Sequence, residues 1–493
     1  MRLAFERLVG FAFVFLSAPL LLAENSFPPS PYQSWAPPKL GDYEAQLAAG
    51  RGAYESNSLG LRADTNIVYD LPALIDIAER AHPQTRVAWE RARQAAGAVG
   101  LSESTYYPYL AASATAGFQH ELVAEGTVFP GNGVEENVAL DVKWLLFDFG
   151  ARKAQVTAAR EQLMAANVGF NAAHQQIVFA VTKSFYDFNT ARQKVGVAES
   201  ALQAATAVGE AAQARYENGL ATRPNVLQAE QQTAQAVFDL DAARGKFGDA
   251  QVTLVQSLGI VPTTQLQIAD VAEKHFDENF ADPLDQLIDR ALSERPDLVA
   301  KLASLRARQA QVRLARAAYY PKISLEGSAG WEKLDVNAYN SPYTGNSKPV
   351  YGIGLAIDLP LFEGFARVHR LRIAESQLRE AENELADSRD RAVSEVWRAY
   401  TDLKTALRQQ ESADKLLTAA QSAFDASLEA YQHGLGTYVD TQSAQRNLTA
   451  AHSAVVDTRS SIFTAAAALA FSMGDLARPL SMTHTTMTHT NQP

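Results

Sequence analysis

Four short stretches of the chain alternate between apolar and polar or small residues. In YLAASATAGF, from Tyr109, the residues Leu110, Ala112, Ala114, Ala116 and Phe118 alternate with Ala111, Ser113, Thr115 and Gly117. NVALDVKW sets Val138, Leu140, Val142 and Trp144 against Asn137, Ala139, Asp141 and Lys143. KISLEGSAGW, from Lys322, and VYGIGLAIDL, from Val350, keep the same rhythm. A period of two predicts strands with one apolar face. Their extents are read as about 109–119, 136–147, 322–332 and 349–360. Each run is about ten residues, the reach of a tilted membrane-spanning strand. Aromatic residues (Tyr106, Tyr107, Phe118, Trp144, Phe147, Trp331, Phe362) gather at the ends, as the interfacial girdles of a barrel do. One such hairpin would suit a half-buried soluble sheet equally well; four matched runs favour membrane strands. The Gly/Asn/Pro-rich segments inside the pairs, about 119–136 and 332–349, read as polar outer loops.

Around the strands the pattern is helical. An Ala/Arg-rich helix is predicted over about 72–104 and again over 284–318, each ending near a Tyr-Tyr-Pro, because proline restricts the residue before it. Very long helices follow, from Ala151 to Glu217 and from Ala366 to Gln432. At 1.5 Å per residue, about 65 residues form a rod of roughly 100 Å. Each breaks once, at Asn218-Gly219 and at His433-Gly434, and resumes to Leu258 and to Met473. Helices of this length need partners, most simply as antiparallel coiled coils. The breaks are then hairpin tips, with glycine supplying the left-handed residue that closes a helix and Pro224 in the first turn of the returning one.

The two halves are one unit written twice. YYP at Tyr106 returns at Tyr319, and Leu74, Ile75, Ala78 and Pro83 return at the same spacing as Leu287, Ile288, Ala291 and Pro296. LFDFGAR from Leu146 answers LFEGFAR from Leu361. Tyr216, Gly219, Leu220, Thr222 and Ala229 recur as Tyr431, Gly434, Leu435, Thr437 and Ala444. A two-residue length difference between Pro108 and Leu146 reconciles all the markers. The domain reading is therefore a first repeat over 70–259 with its tip at about 217–225, a linker over 260–283, and a second repeat over 284–474 with its tip at about 432–440.

The ends add location. MRLAFERLVGFAFVFLSAPLLLA, residues 1–23, has two arginines, an apolar stretch and a small residue before Glu24, the charge pattern of a secretory signal peptide. No later segment reads as apolar enough for a spanning helix. Residues 24–69 are a Pro-rich extended arm, and 475–493 a polar tail in which Met482, His484, Met487 and His489 cluster without evident geometry for a metal. The 493 residues include no cysteine, which excludes disulfides, thiolate sites and a lipid anchor on an N-terminal cysteine. A net charge of −11 argues against nucleic acid as partner. No nucleophile elbow, phosphate loop or His/Glu metal motif is present, so neither an enzyme nor a cofactor is expected. Four strands cannot close a barrel, and lipid tolerates only closed ones. The barrel must be shared, as eight strands in a dimer or twelve in a trimer.

The duplicated order of helix, strand pair, long helix, Gly-containing tip and return helix, with YYP, LFDFGAR/LFEGFAR and YENGLATRPNVL/YQHGLGTYVD, resembles TolC-type outer-membrane efflux proteins over residues 70–474. The fold class implied is mostly α with a membrane β part: a tandem-duplicated helical coiled-coil barrel, with four β-strands per chain contributing to a trimeric twelve-stranded outer-membrane barrel. The resemblance also implies a homotrimer in outer-membrane lipid, a helical tunnel in the periplasm, and docking to an inner-membrane pump through a periplasmic adaptor protein. By position, Gly219, Leu220, Ala221 and Thr222, with Gly434, Leu435, Gly436 and Thr437, would contact the adaptor. Asp440 matches an acidic residue that rings the closed aperture, Tyr431 an aromatic that helps latch it, and Asn225 a first-repeat position that can carry Asp. The chain departs from that pattern at Asn225, at Gly436, where a latching Arg can stand, and at Ser443, where a second acidic ring can. A polypeptide-secretion duct is the alternative to small-molecule efflux. A secreted structural coiled coil is the rival from another class, and it leaves the four strands without purpose.

Overall fold

The structure, a computed structural model, describes residues 42, 45–47, 67–124, 127–261, 264, 266–270, 283–338 and 341–475. The signal peptide, nearly all of the arm, much of the linker and the Met/His tail lie outside them. In chain order the elements of the first half are β1 (Val68–Tyr69), α1 (Leu71–Ala81), α2 (Pro83–Ser104), β2 (Tyr109–Ala124), β3 (Thr127–Phe147), α3 (Ala151–Glu217) and α4 (Arg223–Ser257). The second half has β4 (Gln267–Ile268), α5 (Leu284–Glu294), α6 (Pro296–Ala317), β5 (Lys322–Ala338), β6 (Ser341–Asp358), α7 (Ala366–Gln432) and α8 (Tyr438–Met473).

Three readings need correction. The first helix of each repeat is two helices, because Pro83 and Pro296 stand at helix starts and hold His82 (ψ 125°) and Arg295 (ψ 124°) extended. The strands are also longer than about ten residues. β2 pairs with β3 down to Ala124↔Thr127, and β5 with β6 down to Ala338↔Ser341, so the segments read as outer loops are hairpin strand. Polar composition reports what surrounds a strand, whereas ladder hydrogen bonds use only the backbone and continue past the apolar belt. Lastly, α8 is long and apolar enough to cross a membrane by length and composition. It lies along α7 and α3, against which Ala451, Ile462 and Leu469 are buried.

The four long strands form one antiparallel sheet in the order β2-β3-β5-β6, which leaves β2 and β6 as unpaired edges. One face is apolar and open: Leu110, Val138, Leu140, Trp144, Trp331, Ile353, Leu355 and Ile357 are all exposed. Such a continuous apolar face is suited to lipid, not water. The other face is polar and bonded across strands, with Lys143 Nζ 2.8 Å from Glu326 Oε1 and the Ser113 hydroxyl donating to Asp141 at 2.9 Å.

The repeat markers are contact partners at the sheet–helix junction. The buried Arg152 pairs with Asp148 and donates to the carbonyls of Leu145 (2.7 Å) and Leu146 (3.0 Å), with its guanidinium 4.9 Å from the Tyr106 ring. Arg367 repeats this with Glu363, the Leu361 carbonyl and Tyr319. Two consecutive left-handed residues turn the chain each time, Phe149-Gly150 and Gly364-Phe365. A left-handed phenylalanine costs roughly 1–2 kcal/mol, and Phe149 is held there by stacking on Tyr320 of the other repeat at 5.1 Å.

Three buried clusters hold the helices. Leu74, Val181 and Leu254 belong to one, and their repeat equivalents Leu287, Val396 and Leu469 to another. The third lies near the tips and draws on both repeats: Val208, Ala212 and Ala229 meet Phe424, Tyr431, Tyr438 and Leu448.

Candidate aperture at the helix-hairpin tips

At about 1.5 Å per residue, the 67-residue helices α3 and α7 carry their hairpin ends about 100 Å from their starts at the sheet. Both hairpins end in the same way. Gly219 (φ 74°) and Gly434 (φ 82°) take the left-handed conformation, and the next N–H, of Leu220 or Leu435, reaches back 2.8 Å to the carbonyl of Arg215 or Ala430. This closure satisfies carbonyls that a helix end leaves orphaned. It also projects one leucine outward per tip: Leu220 is 67% exposed and Leu435 87%. Gly219, Thr222, Gly434 and Thr437 are exposed as well, while Ala221, Gly436 and Asn225 are half-buried.

The returning helices start differently. Thr437 caps α8, its hydroxyl accepting from the Asp440 N–H at 3.2 Å and donating to the Asp440 carboxylate at 2.6 Å. Asp440 is thus an exposed carboxylate in the first turn of a helix, where the dipole favours negative charge. Thr222 makes no such side-chain cap, and the Asn225 N–H bonds the Thr222 carbonyl instead.

Tyr431 is not at the surface. It is 2% exposed, its ring 6.1 Å from that of Tyr438, and neither hydroxyl has a hydrogen-bond partner. Burial pushes both hydroxyls above the usual tyrosine range; the Arg215 charge opposes this at Tyr431, and Tyr431 itself adds to it at Tyr438. The first-repeat equivalent, Tyr216, is exposed, so the duplicated tips are not duplicates in packing.

Arg215 is the tip residue that sequence reasoning missed. It stands in the last turn of α3 and donates to the Tyr431 carbonyl of the other hairpin and to the Leu220 carbonyl of its own, at 3.2 Å. Its guanidinium lies 4.8 Å from the Tyr431 ring centre. A basic residue in a last helical turn is a recognisable signal, but the second repeat has Ala430 in that place, and backbone acceptors leave no trace in sequence. Gln445 Nε2, donating to the Ala201 carbonyl at 3.3 Å, ties the hairpins together higher up.

An open sheet with one lipid-suited face, carried on helical hairpins of this length, defines the subunit of an outer-membrane export channel. Comparison with known proteins agrees. The family model described as "Outer membrane efflux protein" matches twice, over residues 74–260 and 287–475. Protein CyaE of Bordetella pertussis is 31% identical over 408 residues, 82% of this chain and 84% of that one. The pyoverdine export outer membrane protein OpmQ of Pseudomonas aeruginosa is 26% identical, over 90% of this chain and 92% of its own. Among solved structures, VceC of Vibrio cholerae superposes with a TM-score of 0.72 at 24% identity, covering 82% of this chain and 96% of that one. The open state of MtrE from Neisseria gonorrhoeae superposes with a TM-score of 0.67 at 21% identity, covering 82% and 89%.

The chain belongs to the outer membrane efflux protein family. It is an outer-membrane efflux channel protein with its helical part in the periplasm, and the secreted coiled-coil alternative is set aside.

Proposed function

We propose that the protein is the exit duct of a tripartite export system, passing cargo from an inner-membrane pump and a periplasmic adaptor to the outside. The observation that carries this reading is the open sheet. Four strands with two free edges leave backbone groups unpaired, which lipid does not tolerate. Three copies close them as twelve strands around a passage, and the helices prolong that passage as a tunnel. The tips, with Leu220 and Leu435 foremost, are the adaptor contacts. A groove of about 770 Å³ between α3 and α4 opens near the first tip, lined by Val226 and Val237 together with Glu217 and Glu230. It suits an approaching helix with an apolar stripe and basic flanks.

Asp440 faces the axis in this assembly, three carboxylates forming a ring that draws cations and resists crowding. Replacing it with asparagine is expected to weaken cation preference and divalent-cation block of the closed pore. Reversal potentials in a salt gradient measure this, and unchanged selectivity removes Asp440 from the aperture. The named cargoes of relatives differ, from pyoverdine to cations, which fits a duct whose pump selects the cargo. The assembly is tested on isolated outer membranes by electrophoresis without boiling. Heat-sensitive trimer bands support it, and monomer found only in the soluble periplasm contradicts it.

A further inference from the structure

We propose that Arg215 is the latch of the aperture, tying the second hairpin tip to the first within each protomer. The proposal rests on the export-duct reading, and its starting point is an asymmetry between the repeats. Tyr216 and Tyr431 are equivalent by sequence, yet only Tyr431 is buried, beneath a guanidinium that comes from the other repeat.

Arg215 holds three features at once. Its Nη1 donates to the Tyr431 carbonyl in the last turn of α7, which also accepts the Gly434 N–H at 3.1 Å, so the guanidinium takes up that oxygen's second lone pair. Its Nη2 donates to the Leu220 carbonyl in the first tip loop. Its plane covers the Tyr431 ring. A planar guanidinium can bridge two carbonyls and a ring together, whereas an ammonium cannot. The cation also lies among the C-terminal carbonyls of both long helices, where the dipoles favour positive charge.

The second tip offers no alternative holder at Gly436. A Cβ there would lie 3.1 Å from the Tyr431 nitrogen and 3.3 Å from Ala430, so the loop packs closely on α7 and glycine carries no side chain to reach across. A Cβ on Gly434 would stand 3.6 Å from Nη1 of Arg215, so this loop passes directly over the guanidinium. The Tyr431 hydroxyl has no partner and holds nothing. For the tips to part, as widening of the aperture requires, the Arg215 bond to the Tyr431 carbonyl and the ring contact must be given up, while the bond to the Leu220 carbonyl only holds Arg215 in place within its own tip.

The test is conductance of the full-length trimer in planar bilayers, comparing wild type with Arg215→Ala, Arg215→Lys and Tyr431→Phe. Charge-assisted hydrogen bonds of this kind correspond to roughly a tenfold to hundredfold change in the open-to-closed ratio. Arg215→Ala is expected to raise mean conductance several-fold, with Arg215→Lys intermediate. Tyr431→Phe, which keeps the carbonyl and the ring, is expected to have a much smaller effect than either. Should the alanine variant fail to assemble, the lysine variant decides: raised conductance supports the latch and wild-type conductance overturns it. Conducting channels that do not respond to either Arg215 change overturn the latch but leave the duct standing. Assembled trimers that never conduct in any variant overturn the duct and the latch with it.

Discussion

Leu435→Asp is expected to abolish export while leaving the trimer in the outer membrane intact. Leu435 is 87% exposed at the end of the second hairpin and supports no core. The turn beneath it is held by backbone bonds, Leu435 N to Ala430 O at 2.8 Å and Gly436 N to Ala430 O at 3.0 Å. Substitution at such a surface site changes stability by only about 0.5 kcal/mol. Under the proposed function, the leucine exposed at equivalent positions of the two tips is the contact offered to the adaptor. Burying an aspartate there against a partner costs the desolvation of its charge, and anchor residues of interfaces commonly contribute about 2 kcal/mol or more. Leu220→Asp is expected to act in the same direction but less strongly, its leucine being less exposed. Export rate is measured alongside trimer yield. Full export in both variants would show that the tips are not the docking surface.

The second large effect is on assembly. Arg152→Ala is expected to cost about 3–5 kcal/mol, the range for breaking a buried ion pair, and to lower the temperature at which the trimer dissociates. Arg152 and Asp148 are both buried, and the arginine binds the last carbonyls of β3 to the start of α3. Its removal leaves the Asp148 carboxylate with backbone donors only, from Gly150 and residue 152 itself. Arg367→Ala should cost less, since Arg367 donates to a single carbonyl and Glu363 keeps a second partner in Arg370. Thermal dissociation followed by electrophoresis separates the two. Equal losses would mean that the carbonyl bonds of Arg152 contribute nothing.

Much of this fold is legible in the sequence because its signals are local and repeated. Period-two runs mark the strands, long Ala-rich tracts the helices, and Asn218-Gly219 and His433-Gly434 the turns between them. At the strand ends and at the tips the deciding partner is remote or is backbone. The strands outrun their apolar stretch because ladder bonds ignore side-chain polarity, as Glu121↔Pro130 and Asp335↔Gly345 show. The breaks before Pro83 and Pro296 follow from a local rule, but helical periodicity on both sides masks them. At the tips, sequence equivalence suggests like roles for Tyr216 and Tyr431. What distinguishes them is Arg215, whose acceptors are a carbonyl more than two hundred residues away and another in its own loop.

Single-channel recording of the purified protein in a planar lipid bilayer shows directly whether three copies enclose a gated passage. Small, cation-preferring currents are expected from a heat-sensitive trimer, enlarged by Arg215→Ala. Well-folded trimers that carry no current, in wild type and in the Arg215 and Asp440 variants alike, would contradict such a passage.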